Sequence, residues 1–470
     1  METICAIATP SGGALGIVRV SGSDSINITS KIFKPKGGKS LTEKANSTLT
    51  FGNIIDPDTE DIIDEVLVSL FRAPHSYTGE DACEISCHGS DYILHRVMQL
   101  LMKQGCRLAR PGEYTERSFL NGKMDLSQAE AVADLIASTT EANHRMAMHQ
   151  MRGGFSKELR LLRDQLLHIT SLLELELDFS DHEELEFASR PELLGLAQKI
   201  HDHLQSLCHS FRLGNALKRG VPVAIVGETN AGKSTLLNAL VGEERALVSN
   251  IHGTTRDTIE ETVNIGGTLV RFIDTAGIRE TTDTVERMGI DRTFSKISEA
   301  DFVLWLIDLT AYETQYTELS EKLLPNTQDK QLVILLNKQD LVSEITLQQA
   351  IQFVTEQTKG CNTIPQVLTL SAQNSQGLTK LKALLSDSLT MLQASSNATS
   401  TIVSNLRHYE ALTSALSAID RVIEGLHNDL SGDFISQDLR ECIHHLSDIV
   451  GEVTTDDVLG NIFKHFCVGK

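Results

Sequence analysis

The stretch GETNAGKS at positions 227–234 has residue types and spacing suited to phosphate chemistry, matching the pattern GxxxxGK[ST]. A glycine-rich turn of this kind points successive backbone N–H groups at one phosphate. Lys233 would then reach the terminal phosphates, and the Ser234 hydroxyl would ligate magnesium. Taken alone, the pattern could also be a surface turn that matches by accident. It predicts a nucleoside triphosphate site, which the neighbouring sequence must support or weaken.

Further motifs follow this loop at the spacing that a nucleotide-binding α/β sheet needs. The segment DTAG at 274–277 ends an apolar run, so Asp274 would hold magnesium through water while the Gly277 N–H meets the γ-phosphate. The segment NKQD at 337–340 also ends an apolar run. The Asp340 carboxylate could accept hydrogen bonds from guanine N1 and N2, and adenine offers neither donor. The predicted nucleotide is therefore GTP.

Two more motifs complete the predicted site. Ser371 and Ala372 follow the last strand and suit the guanine O6 side, and the segment GTTRD at 253–257 supplies a mobile threonine for the magnesium shell. Concordant motifs argue against an accidental match. The predicted GTP contacts are Asn230, Ala231, Gly232, Lys233, Ser234, Thr235, Ser249, Asn250, Ile251, His252, Gly253, Thr254, Thr255, Asp274, Thr275, Ala276, Gly277, Asn337, Lys338, Asp340, Ser371 and Ala372.

The residue after DTAG is Ile278, where Ras-like enzymes place a glutamine that orients the attacking water. An apolar side chain cannot orient water, so hydrolysis must use another group. Glu286 is an acidic candidate on the same segment, although by composition it reads more often as a surface helix residue. A monovalent cation could supply positive charge with Asn230 as a ligand, and Arg256 stays open as an arginine finger.

Composition bounds the class of protein. The length of 470 residues predicts about three domains. The formal net charge of -21 repels phosphate backbones at long range, so a nucleic acid would need a local basic patch or a second protein. Scattered cysteines predict free thiols in a reducing compartment, and no apolar run reaches the ~20 residues of a membrane span. We expect a cytoplasmic protein without stable membrane association.

Two local clusters have competing interpretations. Cys83, Cys87 and His88 lie close enough in sequence to suggest a metal, but residues four apart share one face of a strand, which favours structural burial of the thiols. The basic run at 31–39 contains four lysines among glycine and proline. It is predicted to be a solvated loop rather than a binding site.

Apolar periodicity divides the chain into four predicted segments. Residues 1–121 read as a mixed α+β unit, 122–217 as helical, 218–392 as alternating strands and helices, and 393–470 as helical again. The same patterns predict strands at 3–9, 16–22, 66–73 and 82–89, a helix at 91–103, a helix with an apolar stripe from Phe155 to Leu173, and a helix from about Pro191 to Leu213. Alternating βα units predict a mainly parallel, doubly wound sheet. The late helices have apolar stripes but no other partners, so we expect them to pack on the earlier helices, with the nucleotide domain inserted between the two parts. Two separate helical domains are the alternative.

Over nearly its whole length the chain resembles the MnmE (TrmE) family of tRNA modification GTPases. The resemblance rests on SYTGEDACEISCHG, on RLARPGEYTERSFLNGKMDLSQAEAVADLI and on the ending CVGK. It implies an N-terminal domain that dimerises and binds 5-formyl- or methylene-tetrahydrofolate, and a helical domain carrying a Ras-like P-loop G domain that hydrolyses GTP with potassium. With an FAD-binding partner, MnmG (GidA), a heterotetramer would add an aminomethyl or carboxymethylaminomethyl group at C5 of the wobble uridine of certain tRNAs.

The resemblance also implies roles for single residues, matched motif by motif. It assigns magnesium to Ser234 and Thr255, potassium to Asn230, Ser249, Ile251 and Thr254, catalysis to Glu286 and Cys467, and folate binding to Arg19, Glu84, Lys123 and Lys470. Ser249 stands where a threonine is usual, which keeps the hydroxyl, and HGS replaces the common HGG after Cys87. For Cys467 a buried helix-end thiol is the equal alternative.

Two other functions stay open at this stage. A regulatory GTPase switch for ribosome or RNA assembly would share the motifs but should carry a basic RNA-binding module, which this sequence does not show. A folate-dependent one-carbon transfer enzyme could use its GTPase only for regulation. Because of the net charge of -21, we expect MnmG to supply most of the tRNA-binding surface and this chain alone to bind tRNA weakly.

Overall fold

A computed structural model describes most of the chain in two compact units. The described residues are 2–10, 12–178, 189–242, 261–273, 297–360, 364–395, 401–452, 456–464, 466 and 469. The first unit comprises Met1–Ala137, Ala147–Ile200 and Ser414–Lys470, and the second comprises Ser138–Met146 and His201–Thr413. The four predicted segment boundaries are finer than this division and stay a prediction.

The first unit contains a mixed seven-stranded sheet. Its strands are β1 (Ile4–Ile7), β2 (Leu15–Ser21), β3 (Phe33–Pro35), β4 (Thr48–Ile55), β5 (Ile62–Phe71), β6 (Ala82–His88) and β7 (Arg107–Leu108), in the order β3-β4-β5-β6-β2-β1-β7. All neighbours are antiparallel except β1 and β7. Alternate residues of β5, such as Val66 and Val68, are buried while Leu67 is exposed, as expected for a strand with one covered face.

Helices α1 (Ser25–Ile32) and α2 (Asp91–Lys103) pack against this sheet. Their buried residues, including Ile28 and Leu101, share a hydrophobic core with Val18 and Ile85 of the strands. The α+β fold class predicted for this part is confirmed. Strands β3, β4 and β7 and helix α1 were not predicted. Strands β3 and β7 are only three and two residues long, and serine, threonine and asparagine interrupt the apolar residues of α1 and β4.

The helices that follow are α3 (Glu113–Leu120), α4 (Leu126–Ala137), α5 (Glu141–Met151), α6 (Gly154–Asp178) and α7 (Arg190–Arg219). The apolar stripe predicted for α6, from Phe155 to Leu173, is buried. Helix α7 extends beyond the predicted end at Leu213, because Ala216 and Leu217 continue the apolar spacing and pack in the core of the second unit.

The late helices are α12 (Leu406–His427), α13 (Gly432–Val450) and α14 (Asp456–Phe463). Within the first unit α13 packs along α6, and Arg440 Nη2 donates to Glu174 Oε1 at 2.6 Å. Arg421 of α12 pairs with Asp438 of α13. The late apolar stripes therefore find a partner helix that lies far away in sequence.

The second unit is built on a six-stranded sheet. Its strands are β8 (Val221–Val226), β9 (Glu261–Ile265), β10 (Thr268–Ile273), β11 (Phe302–Asp308), β12 (Gln331–Asn337) and β13 (Gln366–Thr369), in the order β13-β12-β11-β8-β10-β9. Its helices are α8 (Lys233–Gly242), α9 (Tyr312–Leu323), α10 (Glu344–Gln357) and α11 (Leu378–Ser395). Every residue of β8 and β11 is buried, as a parallel sheet covered on both faces requires.

The predicted doubly wound α/β sheet is confirmed, with one addition. Strand β9 lies antiparallel to β10 at the sheet edge, and it was not predicted. The turn between them is Gly266-Gly267, with φ angles of 59° and 87°. A two-glycine turn between alternating segments is a hairpin signal, so the sequence could have revealed this strand.

The two local clusters have different outcomes. Cys83 and Cys87 are buried in the core, as predicted, and no group of three or more His, Cys, Asp and Glu within the described ranges could hold a metal ion. The prediction of a basic loop is wrong in part, because Lys31 lies in α1 and Lys34 in β3. The intervening apolar residues Ile32 and Phe33 are buried and extend the regular structure.

The cysteines and helices bear on two further expectations. Cys5, Cys83, Cys87, Cys106, Cys208 and Cys442 are free thiols. Cys361 and Cys467 lie outside the described residues. In the part of the chain that the structure describes, no helix has the length and apolar character to cross a membrane.

Candidate functional site

The phosphate-loop stretch lies between β8 and α8, where glycine is sterically required. Gly232 has a φ of 100°, and a Cβ atom there would lie 2.3 Å from Asn337 Nδ2. At Gly227 a Cβ atom would lie 2.4 Å from the carbonyl oxygen of Leu306. A side chain at either position would therefore fill the concavity or collide with its wall, which fits a backbone cradle for phosphate groups.

Lys233 is the first residue of helix α8, and its side chain folds back onto the phosphate loop. Its Nζ donates to the carbonyl oxygens of Gly227 at 2.7 Å and Glu228 at 2.8 Å. Burial lowers the pKa of Lys233, and the nearby Glu228 carboxylate partly opposes that shift. Ser234 follows in the first turn of α8, where the positive end of the helix dipole favours an anion.

Asn337, at the end of β12, joins the two halves of the predicted nucleotide site. Its side chain is buried, and Nδ2 donates to the carbonyl oxygen of Ala231 at 2.8 Å. Its Oδ1 accepts a hydrogen bond from the N–H of Ala372 at 3.0 Å. One amide group thus fixes the phosphate loop against the segment predicted to meet guanine O6. The structure brings these motifs to the same edge of the sheet.

Lys338 and Asp340 follow at the same edge. Lys338 has a left-handed φ of 65°, and its Nζ donates to Asp308 Oδ2 at 2.5 Å. Burial raises the pKa of Asp308, but hydrogen bonds from Lys338 and Thr310 outweigh it and lower the pKa overall. Asp340 is exposed in the short turn that follows. Its carboxylate is therefore accessible for recognition of a base.

Two acidic residues of this site were missed by sequence reasoning. Asp308 ends β11 and anchors Lys338, and a carboxylate at the carboxyl end of a buried strand is a signal that could have identified it. Glu228 lies inside the phosphate loop. A hydrogen bond with Glu318 of α9, assisted by burial, raises the pKa of Glu228 to about 7. That carboxyl pair depends on tertiary structure and has no sequence signal.

Several predicted residues lie outside the described part of the chain and stay predictions. They are Ser249, Asn250, Ile251, His252, Gly253, Thr254, Thr255, Asp274, Thr275, Ala276, Gly277, Glu286, Cys467 and Lys470. Thr235 is described and lies exposed on α8, while Ser371 is buried and forms an isolated β-bridge with Gln376.

The first unit contains a cavity of about 330 Å³ beside strands β2 and β6. Arg19 and Glu84, both predicted folate contacts, line it and are direct cross-strand neighbours. Arg19 Nε donates to Glu84 Oε1 at 2.8 Å, and Arg19 Nη1 donates to the carbonyl oxygen of Gly469 at 3.2 Å. A cation and an anion thus face one concave space, with the penultimate residue of the chain beside them.

Lys123, the third predicted folate contact, does not line this cavity. Its Nζ donates to the carbonyl oxygen of Pro74 at 3.0 Å, on the loop between β5 and β6. The predicted contact of Lys123 with a ligand stays a prediction.

Sequence reasoning missed the aromatic walls of the cavity. Tyr77 and Tyr114 line it together with Phe71. The Tyr114 hydroxyl donates to the carbonyl oxygen of Arg19 at 2.9 Å, and burial raises the pKa of Tyr114. Aromatic faces suit a flat ring system, whereas the Arg19–Glu84 pair suits polar groups at its edge.

Comparison with known proteins covers the whole chain. The family model "GTP-binding protein TrmE N-terminus" matches residues 3–123, and "MnmE helical domain" matches residues 126–467. The chain is 58% identical over 474 residues to the tRNA modification GTPase MnmE of Bacteroides thetaiotaomicron, covering 100% of this chain and 99% of that protein. It is 56% identical over 474 residues to the Parabacteroides distasonis protein of the same name, covering 100% of both. For Christiangramia forsetii the identity is 50% over 476 residues, covering 100% and 99%. The chain belongs to the MnmE (TrmE) family of tRNA modification GTPases.

Proposed function

We propose that this chain hydrolyses GTP to GDP and phosphate and acts in tRNA modification. The observation that supports GTP binding is the Asn337 amide, which joins the phosphate loop at Ala231 to the guanine-side segment at Ala372. Family membership over the full length supports the tRNA half. We further propose a cytoplasmic homodimer.

The described residues divide the work of binding GTP. The backbone around Gly232 cradles the phosphates, and Lys233 exchanges its two carbonyl acceptors for phosphate oxygens. Asp340 accepts hydrogen bonds from guanine N1 and N2, whereas the segment of Ser371 and Ala372 lies on the guanine O6 side. Magnesium would be held by Ser234 and Thr255, and when bound it would neutralise charge on the β- and γ-phosphates.

The proposed hydrolysis depends on residues beyond the cradle. Glu286 orients the attacking water, because Ile278 cannot. Potassium would be held by Asn230, Ser249, Ile251 and Thr254, and when bound it would supply positive charge in place of an arginine finger. Asn230 has a left-handed φ of 65° within the phosphate loop.

The cavity of the first unit is the proposed site of 5-formyl- or methylene-tetrahydrofolate, which when bound would supply the one-carbon unit. Arg19 would meet its carboxylates or formyl oxygen, and Glu84 would accept hydrogen bonds from the pterin ring. The residues fit because a paired cation and anion line the cavity of about 330 Å³ together with three aromatic side chains. Lys470 would add a second cation to the folate site, and Cys467 would be a catalytic thiol of the modification reaction.

The complete reaction would need a second protein. We propose that the FAD-dependent partner MnmG joins this chain in a heterotetramer. Together they would install the aminomethyl or carboxymethylaminomethyl group at C5 of the wobble uridine. MnmG would supply most of the tRNA contact, because this chain carries a net charge of -21.

The cation mechanism has a direct test. GTP turnover should fall at least ~10-fold when sodium replaces potassium, because one stabilising charge is lost from the transition state. The Glu286→Ala variant should lose turnover in potassium while its GTP affinity stays close to wild type. An equal rate in sodium and potassium would reject the potassium mechanism.

A further inference from the structure

The cavity wall is partly formed by the loop at 72–81 between β5 and β6. His75, Ser76, Tyr77 and Thr78 of this loop line the cavity. Side chains of helix α3 and of the turn after it form hydrogen bonds to this loop. Three of them donate to its backbone carbonyls, and one pairs with the Tyr77 hydroxyl. These contacts are Tyr77 OH with Thr115 Oγ1 at 2.9 Å, Ser118 Oγ to Tyr77 O at 2.8 Å, Asn121 Nδ2 to Thr78 O at 2.8 Å, and Lys123 Nζ to Pro74 O at 3.0 Å.

A buried ion pair anchors the centre of this arrangement. The Arg117 side chain is only 3% exposed, and its Nη1 donates to both carboxylate oxygens of Glu80, at 2.9 and 3.2 Å. Its Nη2 donates to Glu113 Oε1 at 3.0 Å and to the carbonyl oxygen of Glu2 at 2.8 Å. A buried guanidinium with two carboxylate partners holds each of them in one geometry, since breaking one pair leaves uncompensated charge.

From Glu80 a chain of hydroxyl groups leads back to the cavity. Ser21 Oγ donates to Glu80 Oε2 at 2.9 Å and lies 2.7 Å from Thr78 Oγ1. A hydroxyl has one proton, and Ser21 gives it to the carboxylate, so Thr78 must donate to Ser21. The ion pair therefore fixes both the position and the hydrogen-bond direction of two cavity-lining hydroxyl groups.

Neither Arg117 nor Glu80 lines the cavity, yet their contacts fix the positions of Ser21 and Thr78 in its wall. We propose that Arg117 and Glu80 are positioning residues of the cavity, acting on its ligand through Ser21 and Thr78. Ser21 lies two residues from Arg19 on β2, so the same chain of contacts fixes the strand that carries the proposed ligand-binding cation. The inference rests on the proposal that a reduced folate occupies this cavity.

The test is binding of 5-formyl-tetrahydrofolate to the full-length chain, measured by titration calorimetry well below the unfolding temperature. Glu80→Gln keeps the size of the side chain but removes the charge, and it should weaken binding ~10-fold. Ser21→Ala removes the hydroxyl link but leaves both charges of the Arg117–Glu80 pair in place, and it should weaken binding ~3- to 10-fold. The double variant Glu80→Gln/Ser21→Ala should have about the same folate affinity as whichever single variant binds more weakly, because both changes break the same chain of contacts.

Glu116→Gln is the matched control. Glu116 lies on α3 next to Arg117, but it pairs with Arg110 rather than with the loop at 72–81. Its folate affinity should equal that of the wild type. GTP hydrolysis by Glu80→Gln should stay at the wild-type rate, because Glu80 lies in the first unit and the nucleotide site in the second. Chemical denaturation of Glu80→Gln should still show a cooperative transition of the first unit, which separates positioning from loss of its fold.

Wild-type affinity in Glu80→Gln or in Ser21→Ala would overturn the positioning role while leaving the folate site intact. So would additive losses in the double variant, because independent effects do not pass through one chain. Failure of the wild-type chain to bind 5-formyl-tetrahydrofolate would reject the folate occupant and the positioning role together.

Discussion

The nucleotide site and the N-terminal cavity are assembled in opposite ways. The nucleotide site takes its groups from short contiguous motifs, which the sheet brings to one edge and the single side chain of Asn337 joins. The cavity takes its groups from residues far apart in sequence, such as Arg19 with Glu84 and Ser21 with Thr78. Residue spacing alone can therefore identify the first kind of site. For the second, the family resemblance supplied Arg19 and Glu84, and only the structure shows the contacts that join them and Ser21 to Thr78.

The two sites also differ in how their charges are held. Lys233 donates to two backbone carbonyls, so its positive charge is available to a phosphate. Arg19 already pairs with the Glu84 carboxylate. A ligand of the cavity must exchange partners with that pair, so it needs both an acceptor and a donor. The first site is suited to an anion and the second to a mixed polar ligand.

The largest expected effect comes from a substitution that removes base recognition at the nucleotide site. Asp340→Asn should weaken GTP binding ~100-fold or more, because guanine N1 and N2 lose their acceptor and face a donor instead. Affinity for xanthosine triphosphate should rise, since its carbonyl at C2 can accept from the new amide. Competition binding with both nucleotides measures this. Gln339→Ala is the neighbouring control, and unchanged GTP affinity in Asp340→Asn would contradict the assigned role.

A smaller effect is expected at the cavity, where the charge is shared. Arg19→Ala should weaken 5-formyl-tetrahydrofolate binding ~10-fold, because one charge-assisted contact is lost and Glu84 is left unpaired. Arg19→Lys should restore part of the affinity, since a point charge replaces the planar fork. Titration calorimetry of both variants gives the comparison. Equal affinity in Arg19→Ala and the wild type would show that the ligand binds elsewhere.

The last prediction concerns the acid stability of the first unit. Burial opposes ionisation of Glu113, but hydrogen bonds from Arg107, the Arg110 backbone and Arg117 outweigh it and lower its pKa to about 2. Because the Glu113 pKa is lower in the folded than in the unfolded state, its carboxylate stabilises the fold at pH values above the unfolded-state pKa. This contribution is lost as the pH falls toward 2. Glu113→Gln should lower the unfolding free energy by about 1–2 kcal/mol at pH 7.

The pH dependence provides the control for that prediction. Between about pH 4.5 and pH 2 the wild type should lose its advantage over Glu113→Gln, because protonation removes the same charge. Chemical denaturation of both proteins across this range measures the difference. A difference that stays constant with pH would contradict the assigned ion pairs.

Sequence patterns predicted the elements that carry long runs or strong motifs. Helix α2 was predicted at its observed bounds, and the buried parallel strands stand out as unbroken apolar runs. Strand β9 at the sheet edge was missed because it is short and half exposed. Lys31 and Lys34 were assigned to a loop, since nearby glycine and proline concealed the buried Ile32 and Phe33 between them.

The same physical distinction applies to the candidate sites. Phosphate loops need glycine at fixed positions and a lysine at a fixed offset, so Gly232 and Lys233 could be predicted from spacing alone. Asn337 was assigned to the guanine side, but its bond to Ala231 depends on strand order. Glu80 and Arg117 lie in two of the stretches that carry the family resemblance, but their pairing could not be predicted from those stretches, because it arises from packing of α3 against a distant loop.

The most direct test of the central proposal, GTP hydrolysis in the service of tRNA modification, is nucleoside analysis of tRNA from cells lacking this protein. We predict loss of the C5-modified wobble uridine, restored by the wild-type chain and not by Lys233→Ala. Unchanged levels of that nucleoside without the protein, or full restoration by Lys233→Ala, would contradict the proposal.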